Sequence, residues 1–314
     1  MSARPHWEKL GRIYSPENTT EQCKSRHPKL LSHAANPLPV RLDGNVYRIF
    51  YSGRDAANRS SVGAVDIDIV SRQVVHDHEQ PFFEHGPSGS FYEAGVSIGN
   101  CYEADGVRYM GFMGWQNPPD GHWRGDIGRL ILNADMTLQI ASELPLLAAD
   151  AADPISLSYP CVTKNKDENY TMWYGSTIAW DAGNGEMLHV INHATSEDGQ
   201  LWVRCGLAVP YLLGTAQAFS RPTVVCKPDK GHEMWFSYRG AGGQKYRIGY
   251  AHSVRGNEFE LDLNSSGIDV SPSGWDSEML EYPSVFDHDG QQYMLYNGNG
   301  YGKTGFGLAV YRHG

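Results

Sequence analysis

No stretch of this 314-residue sequence approaches the ~18 consecutive apolar residues of a membrane-spanning helix. The opening residues, MSARPHWEKLGRIYSP, lack the apolar segment of a secretory leader, so a cytoplasmic location is expected. Cysteine is scarce. Five residues (Cys23, Cys101, Cys161, Cys205 and Cys226) form no Cys-x-x-Cys pair, which points to reduced thiols rather than a disulfide framework. Without a leader, the Asn-x-Ser/Thr sequons at Asn18, Asn58, Asn169 and Asn264 carry no meaning. Positive charge is also short: 26 Lys and Arg against 36 Asp and Glu leave a net charge of −10, spread along the chain. With no basic patch, nucleic acid and anionic membrane are poor partners. What is present is 35 Gly, 17 Pro, 18 Tyr and 8 Trp in a chain that is 40% hydrophobic. That composition rules out disorder and allows a sizeable core.

Five segments share one pattern: an apolar run, a polar turn and an aromatic-rich run. They begin at Asn36, Ile98, Tyr159, Arg221 and Tyr282. Their second positions, Pro37, Gly99, Pro160, Pro222 and Pro283, are spaced by 61 or 62 residues. An aromatic residue (Tyr51, Phe112, Tyr174, Phe236, Tyr296) follows each anchor by 13 or 14. The runs are short, rich in Val, Ile, Tyr, Phe and Trp, and bounded by Asp, Asn and Gly, so they read as strands. Asp43-Gly44, Asp105-Gly106 and Asp289-Gly290 are hairpin signals between strands one and two. Third strands follow as SVGAVDID, DIGRLIL, LHVINHA, YRIGYAHS and GFGLAVY, and fourth strands as QVVHDH, TLQIAS, LWVRCGLAV and EFELDL. Four antiparallel strands per unit and five units predict an all-β, five-bladed β-propeller.

The fifth unit ends after three strands. Its missing strand has a candidate in Trp7–Pro16, which resembles the fourth strand Trp202–Pro210, so the N-terminal strand is expected to close the last blade. Residues 1–314 then form a single domain. Two β-sandwiches, the competing architecture, predict no such period.

Strand direction alternates within a blade, so the four-to-one and two-to-three loops open on one face. The two-to-three loops hold Trp115, Trp123, Trp180, Tyr238 and Tyr301, with Arg54, Asp55, Arg59, Arg239 and Asn297. Aromatic rings among Gly, Asn, Arg and Asp suit a sugar, whose C–H face stacks while its hydroxyls are hydrogen-bonded. The competing reading is that these tryptophans pack under long loops. The starts of the inner strands converge on the same face. They carry His33, Asn36, Glu93, Ser97, Asp153, Ser158, Tyr159, Ser220, Arg221, Glu278, Glu281 and Tyr282. Carboxylates from different blades facing one funnel fit glycosidic cleavage, in which one protonates the leaving oxygen and another acts as base or nucleophile. Taken singly, each Glu also reads as a solvated loop residue or a partner of Arg221 or Arg54.

With RIGYAHS and VINHATSEDGQLW after strand two, the chain resembles the five-bladed furanosidase-type glycoside hydrolases: the fructan hydrolase, arabinanase/xylosidase and mannoside phosphorylase families. The resemblance implies acidic residues at the inner-strand starts of three blades. Glu281-Tyr282-Pro283 matches the Glu-x-Pro acid motif of the fructan group, whereas Asn36-Pro37 stands where an Asp-Pro base or nucleophile belongs, and no Arg-Asp-Pro triplet is present. The segment from Trp275 to Tyr311 resembles propellers associated with bacterial surface-polysaccharide genes.

Other motifs fail on spacing. NGNGYGKT lacks a phosphate loop's first Gly and is followed by a strand. VDIDIV lacks the calcium-loop Gly and Glu. His76, His78, His189 and His193 recur at no zinc spacing and are expected to be satisfied surface histidines. No cofactor or metal is expected. The sequence therefore predicts a carbohydrate or sugar-containing small molecule as ligand, handled by a glycoside hydrolase or related glycosyl-processing enzyme. Glu281 is the expected general acid, Glu93 the base or nucleophile, and Asp55 a hydroxyl-binding or pKa-setting carboxylate. Arg54, Arg221 and Arg239 are expected to bind anionic or hydroxyl-rich groups, with Trp115, Trp180, Tyr159, Tyr282, Asn297, His33 and Asn36 completing the sugar site. Carboxylates from blades two and five favour inversion, since the gap leaves room for a water. A non-catalytic sugar-binding or protein-interaction propeller is the alternative.

Overall fold

In the computed structural model, residues 5–16, 26–119, 121–227 and 231–313 are described. Cys23, the Asn18 sequon and the centre of the fourth one-to-two turn, residues 228–230, lie outside them. The chain is all-β, apart from one short 3-10 turn at Leu263–Ser265. Among the described residues, no helix is long and apolar enough to cross a membrane.

Strand β1 (His6–Tyr14) comes first. Then β2 (Ser32–Asp43), β3 (Val46–Arg54), β4 (Ser60–Asp68) and β5 (Gln73–Asp77) pair antiparallel in chain order. So do β6 (Gly95–Ala104), β7 (Val107–Gln116), β8 (Arg124–Leu132) and β9 (Leu138–Ile140). The third group is β10 (Ser156–Lys164), β11 (Tyr170–Ala179), β12 (Leu188–Ser196) and β13 (Val203–Leu207). The fourth is β14 (Ala218–Lys227), β15 (Gly231–Arg239), β16 (Arg247–Ser253) and β17 (Glu260–Leu261). Finally β18 (Glu281–His288), β19 (Gln291–Asn297) and β20 (Phe306–Arg312) pair in order, and β1 pairs antiparallel with β20. The chain's first strand thus completes its last sheet, as the likeness of Trp7–Pro16 to Trp202–Pro210 indicated.

Apolar clusters fill the spaces between neighbouring groups. Val40 and Phe50 meet Val96 and Phe112, and Tyr102 and Ile127 meet Val162 and Tyr174. Trp173 and Ile191 meet Phe219 and Phe236. Trp235 and Ile248 meet Leu280 and Met294, where Trp7 adds its ring edge-on to Trp235 at 5.5 Å. Tyr47, Ile49 and Tyr51 pack on Leu295, Phe306 and Leu308, so the last group also touches the first.

The repeat anchor has a structural cause. In each first strand the ladder slips at the anchor: between Ala35 and Leu38, Ile98 and Cys101, Ser158 and Cys161, Ser220 and Thr223, and Glu281 and Ser284. These are β-bulges, which leave residues unpaired, so Pro sits there without losing a ladder bond. The residue before each Pro is left-handed: Asn36 (φ 56°), Tyr159 (φ 38°), Arg221 (φ 45°) and Tyr282 (φ 53°). Outside glycine that region is sparsely populated and costs about 1–3 kcal/mol per residue. In β6 the anchor is Gly99, where a β-carbon would stand 2.1 Å from the Pro160 carbonyl oxygen.

One side chain answers the carbonyls freed by these bulges. The Arg221 guanidinium donates to the carbonyls of Asn36 and Pro37 (3.2 and 2.9 Å), Ile98 and Gly99 (3.3 and 3.4 Å), and Tyr282 and Pro283 (2.6 and 3.3 Å). It is 2% exposed. Burial lowers its pKa to about 10, so it remains charged at neutral pH. Freed amides are met by the residue after the aromatic of a neighbouring group. Ser52 accepts from Ile98 N (3.3 Å), Ser237 from Tyr282 N (2.8 Å) and Asn297 from Asn36 N (3.0 Å).

Arg221→Met should therefore destabilise the protein by at least about 3 kcal/mol, since it orphans several buried carbonyls at once. Guanidinium denaturation measures this, and a loss below about 1 kcal/mol would contradict the assignment. Removing residues 1–15 strips β1 from β20 and uncovers Trp235 and Tyr311, so the melting temperature should fall sharply or the protein become insoluble. An unchanged melt would mean that β1 contributes nothing to the last sheet.

Candidate functional site

The starts of the first strands and the loops after the second strands enclose one pocket of ≈ 370 Å³, the usual size for a small-ligand cleft. All five groups contribute to it. Trp115, Trp123 and Tyr301 supply aromatic wall, while Tyr159, Tyr246 and Tyr282 add phenols. Ser97, Ser158 and Ser220 supply hydroxyls, and Arg54 and Arg239 the charge. Among the described residues, no Asp or Glu lines it.

Arg54, at the end of β3, donates from Nη1 to Asn58 Oδ1 at 2.7 Å. Arg239, at the end of β15, is more constrained. Its Nη2 meets Glu186 Oε1 at 2.9 Å, its Nη1 meets the Tyr301 hydroxyl at 3.4 Å, and the guanidinium lies over the Tyr246 ring at 4.8 Å. Arg239 Nε is buried without a partner.

Glu281 opens β18, one residue before left-handed Tyr282. It is 0% exposed and neither carboxyl oxygen has a hydrogen-bond partner. Burial drives its pKa well above the usual carboxylate range, against the opposing pull of Arg239 and Arg54. Burial, and then the Glu281 charge, likewise push the Tyr282 phenol up. Tyr282 and Tyr159 pack with ring centres 5.5 Å apart and hydroxyls at 3.5 Å. Desolvation of a buried carboxyl without a partner favours its protonated form, and no protein atom accepts that proton.

Glu281 itself does not line the pocket, although its neighbour Tyr282 does; a polar unit that does line it is built around His189. His189 lies between two hydroxyls, with Ser158 Oγ 2.7 Å from Nε2 and Thr177 Oγ1 2.7 Å from Nδ1. Burial lowers its pKa to about 4, so the ring is neutral and gives one proton while accepting another. Gly175 leaves the space, since a β-carbon there would lie 2.1 Å from Ser158 Oγ. The expectation of surface histidines fails at His189, which lies opposite Thr177 on β11, and at His193, which is buried with Nδ1 at 3.2 Å from the Gly206 carbonyl.

Several expected site residues stand elsewhere. Arg221 is saturated by carbonyls and has no free donor for a ligand. Asn297 is wholly buried, and its amide donates to the Ala34 and Gly305 carbonyls at 2.8 Å each, which makes it a stitch between β19 and β2. Asn36 is buried beside it. Glu93 turns to its own loop, where Oε2 accepts from Gly89 N at 2.6 Å. It does not line the pocket, so the Glu93–Glu281 pair and the inversion argued from it are not assembled. Asp55 accepts from Ala57 N, Arg59 N and Arg59 Nε within 2.9 Å. Burial alone would raise its pKa, but the Arg59 and Ala57 hydrogen bonds outweigh it and hold the carboxylate below the usual range. Asp153 is buried among Tyr174, Ser176, Asn192 and Arg204, and Glu278 is exposed. His33 is left-handed (φ 62°) and bonded to Ser32 Oγ at 2.9 Å. Burial, then Arg54 and Lys303, lower its pKa to about 4. Trp180 backs the wall, stacked on His122 at 4.5 Å and edge-on to Trp123 at 5.0 Å. Arg54, Arg239, Trp115, Tyr159 and Tyr282 are brought together.

Among the described residues, no cluster of three or more His, Cys, Asp or Glu could hold a metal. Cys101, Cys161, Cys205 and Cys226 are free thiols.

No protein-family profile matches the chain. Two Mycobacterium tuberculosis proteins, the uncharacterized proteins MT1551 and Rv1502, are each 42% identical to it over 307 residues, spanning 97% of this chain and 98% of theirs. Among solved structures, a glycoside hydrolase superposes with a TM-score of 0.73 at 13% identity, covering 98% of this chain and 92% of that one. A structure from the GH130 family of mannoside phosphorylases gives 0.65 at 14%, covering 98% and 94%. A thermostable family-43 glycoside hydrolase gives 0.63 at 16%, covering 92% and 91%. The fold is that of the propeller-type glycoside hydrolases, as the sequence resemblance implied.

The buried His189 sets a pH dependence. The unfolded chain protonates it near its ordinary value of about 6.5, the folded chain only near 4. Its contribution to stability is therefore complete above about pH 6.5, lost as pH falls toward 4, and constant below. The unfolding free energy of the wild type relative to His189→Gln should drop across that window by on the order of 3 kcal/mol. A flat difference would show that His189 is not held neutral.

Proposed function

This chain belongs to the same family as the Mycobacterium tuberculosis proteins MT1551 and Rv1502, and from its pocket we propose that it is a carbohydrate-active, glycosyl-processing enzyme with Glu281 as proton donor. In this reading the five antiparallel groups are the blades of a closed five-bladed propeller. The cyclic run of apolar clusters and the carbonyl contacts of Arg221 support that closure. The pocket at the mouth of the axis is the sugar site, with Trp115, Trp123 and Tyr301 offering ring faces to C–H surface.

The observation that carries the proposal is the state of Glu281. A carboxyl kept neutral by burial is an acid ready to protonate a leaving oxygen, and pKa elevation of this kind is how glycosidases hold their acid. Its unpartnered oxygens lie next to Tyr282, and the charges acting on it are those of Arg239 and Arg54, all three on the pocket wall. The surface thiol of Cys205 suits a reducing cytoplasm, and the resemblance of the last unit to propellers of surface-polysaccharide gene sets suits a role in making or trimming such polymers.

One observation favours a second reading, a non-catalytic sugar-binding propeller. The other candidate carboxylates, Glu93, Asp55 and Asp153, are engaged in local hydrogen bonds, and two-carboxylate hydrolysis needs a partner for Glu281. The discriminating experiment screens aryl glycosides and oligosaccharides for turnover, then compares Glu281→Gln with the wild type. The enzyme reading expects a loss of at least about 100-fold with sugar binding retained. Full turnover by Glu281→Gln removes Glu281 as the acid, and sugar binding without turnover by the wild type supports the binding reading.

A further inference from the structure

The pocket carries an unbalanced positive charge in an acidic protein. Net charge over the whole chain is −10, yet no Asp or Glu among the described residues lines this cavity. Arg239 has one carboxylate, Glu186 at 2.9 Å. Arg54 has none within salt-bridge distance among the described residues. Its sole hydrogen bond there is to the neutral Asn58 amide, and the adjacent Asp55 is committed to Arg59. Glu281 is buried and neither of its oxygens has a hydrogen-bond partner, so it is not paired with either arginine. His33, outside the pocket wall, registers the same field, since Arg54 and Lys303 add to burial in disfavouring its proton.

We infer that the ligand of this pocket is an anionic sugar, one that bears a carboxylate or phosphate group seated on Arg54 beside the Arg239 guanidinium. This rests on the carbohydrate reading of the same site and names its substrate class. A neutral sugar entering the cavity strips water from Arg54 and returns only neutral hydroxyls. An oxyanion instead returns charge-assisted hydrogen bonds in the geometry that a guanidinium fork favours. The aromatic wall then takes the ring, and Trp115, whose Nε1 is held by Ser60 Oγ at 3.1 Å, is fixed to do so. The arrangement also bears on Glu281. Arg54 and Arg239 are the charges that oppose its protonation, and an anion bound to them removes that opposition. An anionic substrate thus reinforces the protonated state that burial already favours.

Calorimetric titration at neutral pH with D-glucuronate, D-glucose 6-phosphate and D-glucose, and with the corresponding manno and galacto series, tests this, because the members of each series differ only at C6. At least one acid should bind tenfold or more tightly than its neutral parent. A uronate leading its series identifies the carboxylate as the group recognised, and a sugar phosphate leading identifies the phosphate. Arg54→Gln, checked for an unchanged circular dichroism spectrum, should bring the ratio below about threefold. Arg239→Gln provides a second variant if Arg54→Gln does not fold. If no acid exceeds its parent in any series, absence of binding included, or if the preference survives Arg54→Gln, the inference is overturned. Turnover by Glu281→Gln bears on the enzyme reading alone and leaves this preference untouched, so the two can fail separately.

Discussion

The guanidinium of Arg221 sits among six backbone carbonyls drawn from three strands, and the rest of the molecule is arranged around that contact. The carbonyls are free because each first strand is bulged at its anchor, and unpaired buried carbonyls are costly unless something donates to them. The bulges carry a cost of their own in four left-handed non-glycine residues. A buried arginine is tolerated because its donors match this supply of acceptors. Binding a substrate and bridging the bulge carbonyls are competing uses of one side chain, and here the carbonyls have it.

The same distortion builds the pocket. Tyr159 and Tyr282 occupy the position that Arg221 occupies in β14, and their side chains line the cavity. Glu281 stands one residue before the bulge of β18, where the slip in register buries it. Its raised pKa is therefore a consequence of strand geometry, with desolvation outweighing the two nearby arginines. Fold and site share a cause: the bulge that needs Arg221 is the bulge that places Tyr159, Tyr282 and Glu281.

Much of the architecture was legible because it repeats. The 61–62-residue spacing, the Asp-Gly turns and the likeness of Trp7–Pro16 to a fourth strand fixed strand order and the pairing of β1 with β20. Which face bears the pocket followed from strand alternation. What the repeat concealed was the divergence of equivalent positions. Asn36, Tyr159, Arg221 and Tyr282 precede the anchor alike, yet only the Arg221 side chain meets the bulge carbonyls, and a single sequence does not say which of the four does so. Asn297 looked like a loop polar residue, but it aligns with Ser52 and Ser237, whose side chains also accept from bulge amides. Glu93 misled because its loop folds back to Gly89, a local hydrogen bond with no periodic signature. His189 was hidden for the opposite reason, since its partners Ser158 and Thr177 come from separate strands.

The central claim is that Glu281 is a neutral carboxylic acid, buried next in the chain to the pocket residue Tyr282, in the resting protein. An infrared difference spectrum between the wild type and Glu281→Gln at neutral pH reads this directly. The account requires the loss of a protonated-carboxyl C=O stretch in the variant, with the carboxylate bands unchanged. Loss of carboxylate bands instead would show Glu281 ionised and would contradict it.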